Sequence, residues 1–174
     1  MATDNTDPIH ERPAAAGDNI DLTADAQAHR CGMATFTVRQ CSPTRMAIGV
    51  IGEIDAVNGR ALGRFVELHT RVSKQLVLDL RTVDFFGSHG FTALYYISVH
   101  CTRRDVDWVI VGGPPVQRLL SICDPEGELP LAGDLATALA RLDRLAQYRP
   151  QIIWSGRSGW HAGPPSREQD HHPA

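Results

Sequence analysis

The chain has 174 residues, of which 43% are hydrophobic and 21% charged, and its formal net charge is -3. This length and composition are typical of one globular domain with tails, and they exclude a membrane bundle because no run approaches about 20 apolar residues. The weakly acidic balance argues against nucleic-acid binding. The polar N-terminus lacks the apolar stretch of a secretory signal, so we expect a cytoplasmic protein.

The sequence divides into three parts that differ in composition. Residues 1–33 are acidic and contain few large apolar side chains, so they cannot bury enough surface to offset the entropy of ordering. They are predicted to form a disordered arm. Residues 34–147 carry regular strand and helix patterns and are predicted to form the folded domain. Residues 148–174 are rich in Pro, Gly and Ser and are predicted to be a mostly disordered tail.

Strand and helix patterns alternate within the central part. Short runs of β-formers predict strands, and apolar residues spaced three and four apart predict helices. The apolar run at 76–80 is nearly continuous, which is typical of a strand covered on both faces. In chain order, we predict strands at 35–39 and 47–51, a helix at 57–72, a strand at 76–80, a helix at 89–103, a strand at 108–111, a helix after Pro114, a weak edge strand at 129–131 and a helix capped by Asp134.

This alternation predicts an α/β fold with a small mixed, mostly parallel sheet, because strand–helix–strand units form right-handed crossovers. The first predicted strand pairs antiparallel with the second at or near one edge. Functional loops of such sheets gather beyond the carboxyl ends of the strands. The loops expected there are residues 52–55, 84–90 and 112–115.

Three stretches of the central part form a recognisable set: MAIGVIGEIDAVNGRALGRFVE, LVLDLRTVDFFGSHGFTAL and WVIVGGPPVQRLLSI. Gly-Glu-Ile-Asp after a strand, followed by Leu-Asp-Leu and an Asp-Phe-Phe-x-Ser-x-Gly-like loop, is more specific as a combination than any piece alone. Together they resemble the STAS domain of bacterial anti-sigma factor antagonists, over residues 34–147. The resemblance implies a STAS-like sheet with helices packed mainly on one face.

The resemblance also implies a regulatory protein-binding module that is not an enzyme and holds no cofactor. An antagonist of this family captures an anti-sigma factor, a protein with a serine-kinase-type ATPase fold, and so frees a sigma factor for transcription. The anti-sigma factor also phosphorylates the antagonist on serine and thereby dismisses it. The alternative is a STAS-type module that serves another signalling complex or senses a small ligand.

The loop before the second predicted helix departs from the family pattern. The family has Asp-Ser-Ser-Gly there, and the second serine takes the phosphate, whereas this chain has Gly87, Ser88, His89 and Gly90. Because Ser88 matches the first serine and His89 stands at the acceptor position, we expect the usual phosphoserine switch to be lost. Ser88 is the candidate phosphorylation site, and its alternative role is the N-cap of the helix.

The resemblance places the partner-binding surface around this loop and around the acid after Gly-Glu-Ile. The alternative role of Asp55 is to cap the helix that starts near Val57. An exposed aromatic side chain among Phe85, Phe86 and Phe91 would provide a binding anchor. The expected contact residues are Asp55, Asp84, Phe86, Gly87, Ser88, His89, Gly90 and Phe91.

Other chemistry finds little support in the sequence. A buried acid must be paired or hydrogen-bonded, so Asp79, inside an apolar strand, is predicted to be structural. The histidines and the four cysteines show no metal-ligand spacing, so no metal site is expected, and phosphate-loop and hydrolase serine motifs are absent. The cysteines are predicted to be reduced and mostly buried thiols, with a redox pair between Cys101 and Cys123 as the alternative.

Overall fold

A computed structural model describes residues 27–149 of the chain. The remaining residues, 1–26 and 150–174, hold most of the predicted arm and tail and lie outside the described part. The described residues form ten elements: β1 (Gln27–Cys31), β2 (Ala34–Gln40), β3 (Arg45–Ile54), α1 (Gly59–His69), β4 (Gln75–Phe86), α2 (Ser88–Arg104), β5 (Asp107–Gly112), α3 (Pro114–Cys123), β6 (Leu131–Ala132) and α4 (Leu135–Tyr148).

The strands form one sheet in the order β1-β2-β3-β4-β5-β6. The pairs β1–β2 and β2–β3 are antiparallel, whereas β3–β4, β4–β5 and β5–β6 are parallel. The predicted α/β class with a mixed, mostly parallel sheet is therefore confirmed. The weak edge strand is present as β6, although it lies at 131–132 and not at 129–131.

The N-terminal boundary of the folded domain was predicted wrongly, because residues 27–31 form strand β1 and are not part of a disordered arm. All of its side chains are exposed except Cys31, which is half-buried, so the strand lacks the apolar alternation that predicts one. Its order comes from pairing along β2, with Gln27 opposite Val38 and Cys31 opposite Ala34. A truncation through residue 33, which looks harmless from the sequence, would remove this strand.

Helices α1, α2 and α3 cover one face of the sheet, and α4 covers the other. The predicted packing of helices mainly on one face is thus confirmed. The main core lies under the three helices and includes Ile48, Leu62, Val66, Leu78, Leu80, Leu94, Ile97, Val116 and Leu120. The smaller core under α4 includes Val77, Val109, Val111, Leu135, Ala138 and Leu142. Strand β4 contributes to both cores, which explains its nearly continuous apolar run.

Two acidic side chains have the structural roles that the sequence predicts. Asp79 is buried in β4, and its carboxylate accepts hydrogen bonds from the Arg81 backbone N–H at 3.1 Å and from its guanidinium at 2.8 and 2.9 Å. Asp134 caps α4, since its Oδ1 accepts from the Thr137 backbone N–H at 2.7 Å. That hydrogen bond lowers the pKa of the Asp134 carboxyl.

Within residues 27–149, no helix combines the length and the apolar content that crossing a membrane requires.

Candidate functional site

The predicted site residues converge at the edge of the sheet where β3 and β4 end. These strands are parallel, with Ile54 opposite Phe86, so the residues that follow them are neighbours. The backbone N–H of Gly87 donates to the carbonyl oxygen of Ile54 at 2.9 Å. The structure therefore places Asp55 beside the loop that carries Ser88, as the strand order predicts.

Asp55 shapes the turn between β3 and α1. Its Oδ1 accepts a hydrogen bond from the Val57 backbone N–H at 2.8 Å, and its carbonyl oxygen accepts from the Gly59 N–H at 2.9 Å. The capping alternative is correct in part, because the carboxylate organises this turn while Asn58 occupies the N-cap position of α1. The Asp55 side chain is half-buried, so part of it remains accessible to a partner.

Asn58 connects the elements around this turn, although sequence reasoning did not single it out. It is 0% exposed. Its Oδ1 accepts from the Asp55 backbone N–H at 3.0 Å, and its Nδ2 donates to the carbonyl oxygens of Glu53 at 2.8 Å and Cys31 at 3.3 Å. Asn58 thus links β1, the end of β3 and the start of α1. The available signal was an Asn just before a helix, which usually indicates only an exposed cap.

The first turns of α1 and α2 lie directly against each other. A Cβ atom added at Gly59 would stand 2.8 Å from the carbonyl oxygen of His89. A Cβ atom added at Gly90 would stand 2.7 Å from two ring carbons of Phe86. Both positions need glycine because a side chain would collide with its neighbour. The close contact between Gly59 and His89 holds the Asp55 turn and the Ser88 loop together.

Ser88 is the first residue of α2 and not its N-cap, so the alternative capping role is wrong. Gly87 occupies the cap position, and its carbonyl oxygen accepts from the Gly90 N–H at 2.9 Å. The Gly87 N–H still donates to the Ile54 carbonyl oxygen of β3. The hydrogen bonds between β3 and β4 therefore end immediately before Ser88, where α2 begins. The Ser88 and His89 side chains are exposed on the first helical turn. Backbone N–H groups and the helix dipole favour an anion such as phosphate at this place.

The exposed aromatic side chain of the site is Phe85. It is 52% exposed, whereas Phe86 is 4% exposed and packs in the main core. Phe86 and the buried Gly90 are therefore not available as direct contacts, which corrects their predicted assignment, and the half-buried Phe91 packs against the same core. The usual alternation of buried and exposed side chains along a strand could not predict which of the two neighbouring rings is exposed, because the β3–β4 ladder has two register shifts.

Exposed apolar side chains surround the polar groups of the site. Val57 follows Asp55, and the Met33 carbonyl oxygen accepts from the Glu53 N–H at 3.3 Å, which places the β1–β2 turn beside them. Asp84 is exposed at the second register shift of β4. We call the resulting surface the rim, and it consists of Met33, Asp55, Val57, Phe85, Ser88 and His89.

The cysteines and potential metal ligands do not form a second site in residues 27–149. All four cysteines are free thiols, but the prediction that they are mostly buried is wrong, because only Cys101 is buried. Burial raises the pKa of the Cys101 thiol to about 12, whereas Cys123 is exposed. Because the thiolate is the reactive form, this argues against a redox pair between them. No group of three or more His, Cys, Asp or Glu side chains in this part of the chain is placed to hold a metal ion.

Comparisons with known proteins agree with this architecture. A family model described as the STAS domain matches residues 37–138. Osmosensory protein A of Mycobacterium tuberculosis is 28% identical over 110 residues, which cover 61% of this chain and 70% of that protein.

Two solved structures share the fold. An anti-sigma factor antagonist from Mycobacterium paratuberculosis superposes with a TM-score of 0.54 at 24% identity, covering 63% of this chain and 94% of that one. The anti-sigma factor antagonist SpoIIAA in its unphosphorylated form superposes with a TM-score of 0.51 at 11% identity, covering 64% and 96%.

Proposed function

Because this chain belongs to the STAS domain family, we propose that it is an anti-sigma factor antagonist that sequesters an anti-sigma factor and so frees a sigma factor for transcription. The observation that carries the proposal is the rim, where exposed apolar groups surround Asp55, Ser88 and His89 at the carboxyl ends of β3 and β4. The fold shared with two antagonists supports the same role. The proposed activity is binding without turnover, in the cytoplasm.

The chemistry of the rim suits a protein partner. Phe85 and Val57 provide exposed apolar area of the kind that forms the energetic centre of an interface. Asp55 adds a charge at its border, so the association should weaken as salt is added. The proposed partner is an anti-sigma factor with a serine-kinase-type ATPase fold, and neither nucleic acid nor a membrane is part of the proposal.

The binding test uses the full chain and a purified anti-sigma factor of this class from the same organism. Titration calorimetry should give a salt-sensitive affinity that Phe85→Ala weakens by about tenfold or more, since truncation of a central aromatic anchor typically costs over 1–2 kcal/mol. Ile122→Ala is the matched control, because Ile122 is also an exposed apolar side chain but lies at the far end of α3. Equal effects of the two substitutions, or no binding to any such partner, would contradict the proposal.

We further propose that the usual phosphoserine switch is absent. Phosphoryl transfer requires a hydroxyl aligned with the γ-phosphate, and His89 stands where the family's acceptor serine stands. The support from the structure is that Ser88 and His89 are successive residues of one helical turn, so their side chains point in different directions. An antagonist of this kind would remain active by default.

The switch is tested by mass spectrometry after incubation with the partner kinase and ATP. We expect little phosphate on the wild-type chain and more on His89→Ser, which restores a hydroxyl at the acceptor position. The control is the double variant Ser88→Ala/His89→Ser, which should retain the gain. Rapid and stoichiometric phosphate on wild-type Ser88 would show that the switch is present and that the family register is shifted by one residue.

A further inference from the structure

A groove of about 680 Å³ runs between the β1–β2 edge of the sheet and helix α1. We call it the β1–α1 groove and define it by His29, Val38, Arg60, Arg64, Phe65 and Leu68. Its volume lies within the range of about 300–1,000 Å³ that is common for small-molecule sites. The rim residue Val57 is among the residues that line it.

The floor of the groove is aromatic and apolar. The Phe65 ring stacks on His29 with ring centroids 6.0 Å apart and lies 4.2 Å from the His69 ring. The His69 Nδ1 donates to the Phe65 carbonyl oxygen at 2.8 Å, which holds the second imidazole against the ring. Val38 and Leu68 add apolar side chains to the lining. A flat or extended hydrocarbon group would find contact area along the whole floor.

Two basic side chains line the groove along helix α1. Arg60 and Arg64 lie one helical turn apart on α1, and both are exposed. None of the described residues that line the groove is Asp or Glu. Glu67 instead lines the neighbouring groove between α1 and α2, which the two arginines also border. Because Arg60 and Arg64 also line the β1–α1 groove, their guanidinium groups are within reach of an anion bound there, and a carboxylate can accept two parallel hydrogen bonds from one guanidinium group.

From this combination, we propose that the β1–α1 groove is a binding site for a small amphipathic carboxylate. The hydrocarbon body lies on Phe65 and Leu68, and the carboxylate pairs with Arg64 or Arg60. An occupant would also touch Val57 and so reach the rim, which would couple the ligand to partner binding. That coupling rests on the proposed function, whereas ligand binding itself does not.

The test titrates the full-length chain with naphthalene carboxylate and, separately, with its neutral carboxamide, followed by amide chemical shifts in NMR. We expect shifts confined to β1, Val38 and residues 57–69. We also expect about tenfold tighter binding of the carboxylate, which corresponds to one charge-assisted pair. The variant Arg60→Gln/Arg64→Gln should abolish that preference. Arg141→Gln/Arg144→Gln is the control, because it removes the same charge from exposed positions of α4 on the other face of the sheet.

Each other outcome overturns the proposal. Equal affinity for the acid and the amide would mean an unspecific apolar contact only. An equal loss of the preference for the carboxylate in both arginine variants would mean that the net charge of the protein attracts the ligand. The acidic segment before Gln27 is the competing occupant. Tighter binding of both the carboxylate and the neutral carboxamide by full-length Asp18→Asn/Asp21→Asn/Asp25→Asn would assign the groove to that segment, because the loss of three negative charges by itself would favour only the carboxylate. None of these results depends on an anti-sigma factor, so they leave the proposed function untouched.

Discussion

Replacement of Asn58 tests whether one buried amide holds together the edge of the sheet that carries the candidate site. Asn58→Ala removes three hydrogen bonds, to the Asp55 N–H and to the carbonyl oxygens of Glu53 and Cys31. A net contribution of about 1 kcal/mol for each bond gives a loss of about 3 kcal/mol in the free energy of unfolding. Under the proposed function, the affinity for an anti-sigma factor should fall as well, because the Asp55 turn and β1 lose their common attachment.

The measurement is urea unfolding at neutral pH, with Thr92→Ala as the control. The Thr92 hydroxyl donates to the Ser88 carbonyl oxygen at 3.1 Å at an exposed position, so its removal should change stability by no more than about 0.5 kcal/mol. A loss under about 1 kcal/mol for Asn58→Ala would refute the reasoning, since it would show that water or neighbouring groups satisfy the three partners.

Asn58→Asp probes the same contacts through pH. The new carboxyl keeps an acceptor for the Asp55 N–H but faces the carbonyl oxygens of Glu53 and Cys31. Burial and these oxygens should raise its folded pKa above the ordinary value of about 3.9. Stability should then be highest below the unfolded pKa and should be lost as pH rises through the folded pKa. A variant whose stability relative to wild type does not depend on pH would contradict this account.

Three further predictions concern packing, thiol reactivity and pH. Gly90→Ala should lower the free energy of unfolding by about 1–3 kcal/mol, because its methyl group would meet an aromatic ring at 2.7 Å. Gly63→Ala, with nothing within 4 Å, should be neutral or stabilising by up to about 1 kcal/mol, and equal effects in urea unfolding would contradict the close packing. Iodoacetamide at mildly alkaline pH should modify Cys123 but not Cys101 in the native protein, because burial raises the Cys101 pKa to about 12; peptide mapping that finds fast labelling of both would refute this. Burial lowers the pKa of His100 below its ordinary value of 6.5. The contribution of the neutral imidazole to the free energy of unfolding is therefore fully present above pH 6.5 and is lost as pH falls through the folded pKa. Thermal unfolding between neutral and mildly acidic pH should show this decrease, and His100→Gln should reduce it.

Local patterns in the sequence were sufficient for most of the architecture. The apolar run at 76–80 indicated a strand covered on both faces, and β4 contributes to the cores on both sides of the sheet. Asp134 was predicted as a cap because it precedes an apolar helical pattern, and its hydrogen bond to Thr137 joins residues only three apart. The loops after two parallel strands were expected at one edge, and the pairing of Ile54 with Phe86 places them there. Such features depend on neighbours in the chain or on periodicity, both of which a sequence displays directly.

The remaining features were decided only by contacts between distant parts of the chain. Strand β1 is ordered by its ladder to β2 and not by its own exposed side chains. Phe85 is the exposed ring and Phe86 the buried one because register shifts against β3 interrupt the alternation of β4. Ser88 is a helical residue because a hydrogen bond from Gly87 to β3 sets where β4 ends. Asn58 is a buried connector because carbonyl groups from two strands meet at its side chain. The sequence by itself determined the family, the order of the central elements and the edge of the sheet that carries the candidate site. Only the tertiary structure decided which side chains that edge exposes, because exposure depends on pairing partners that no local pattern contains.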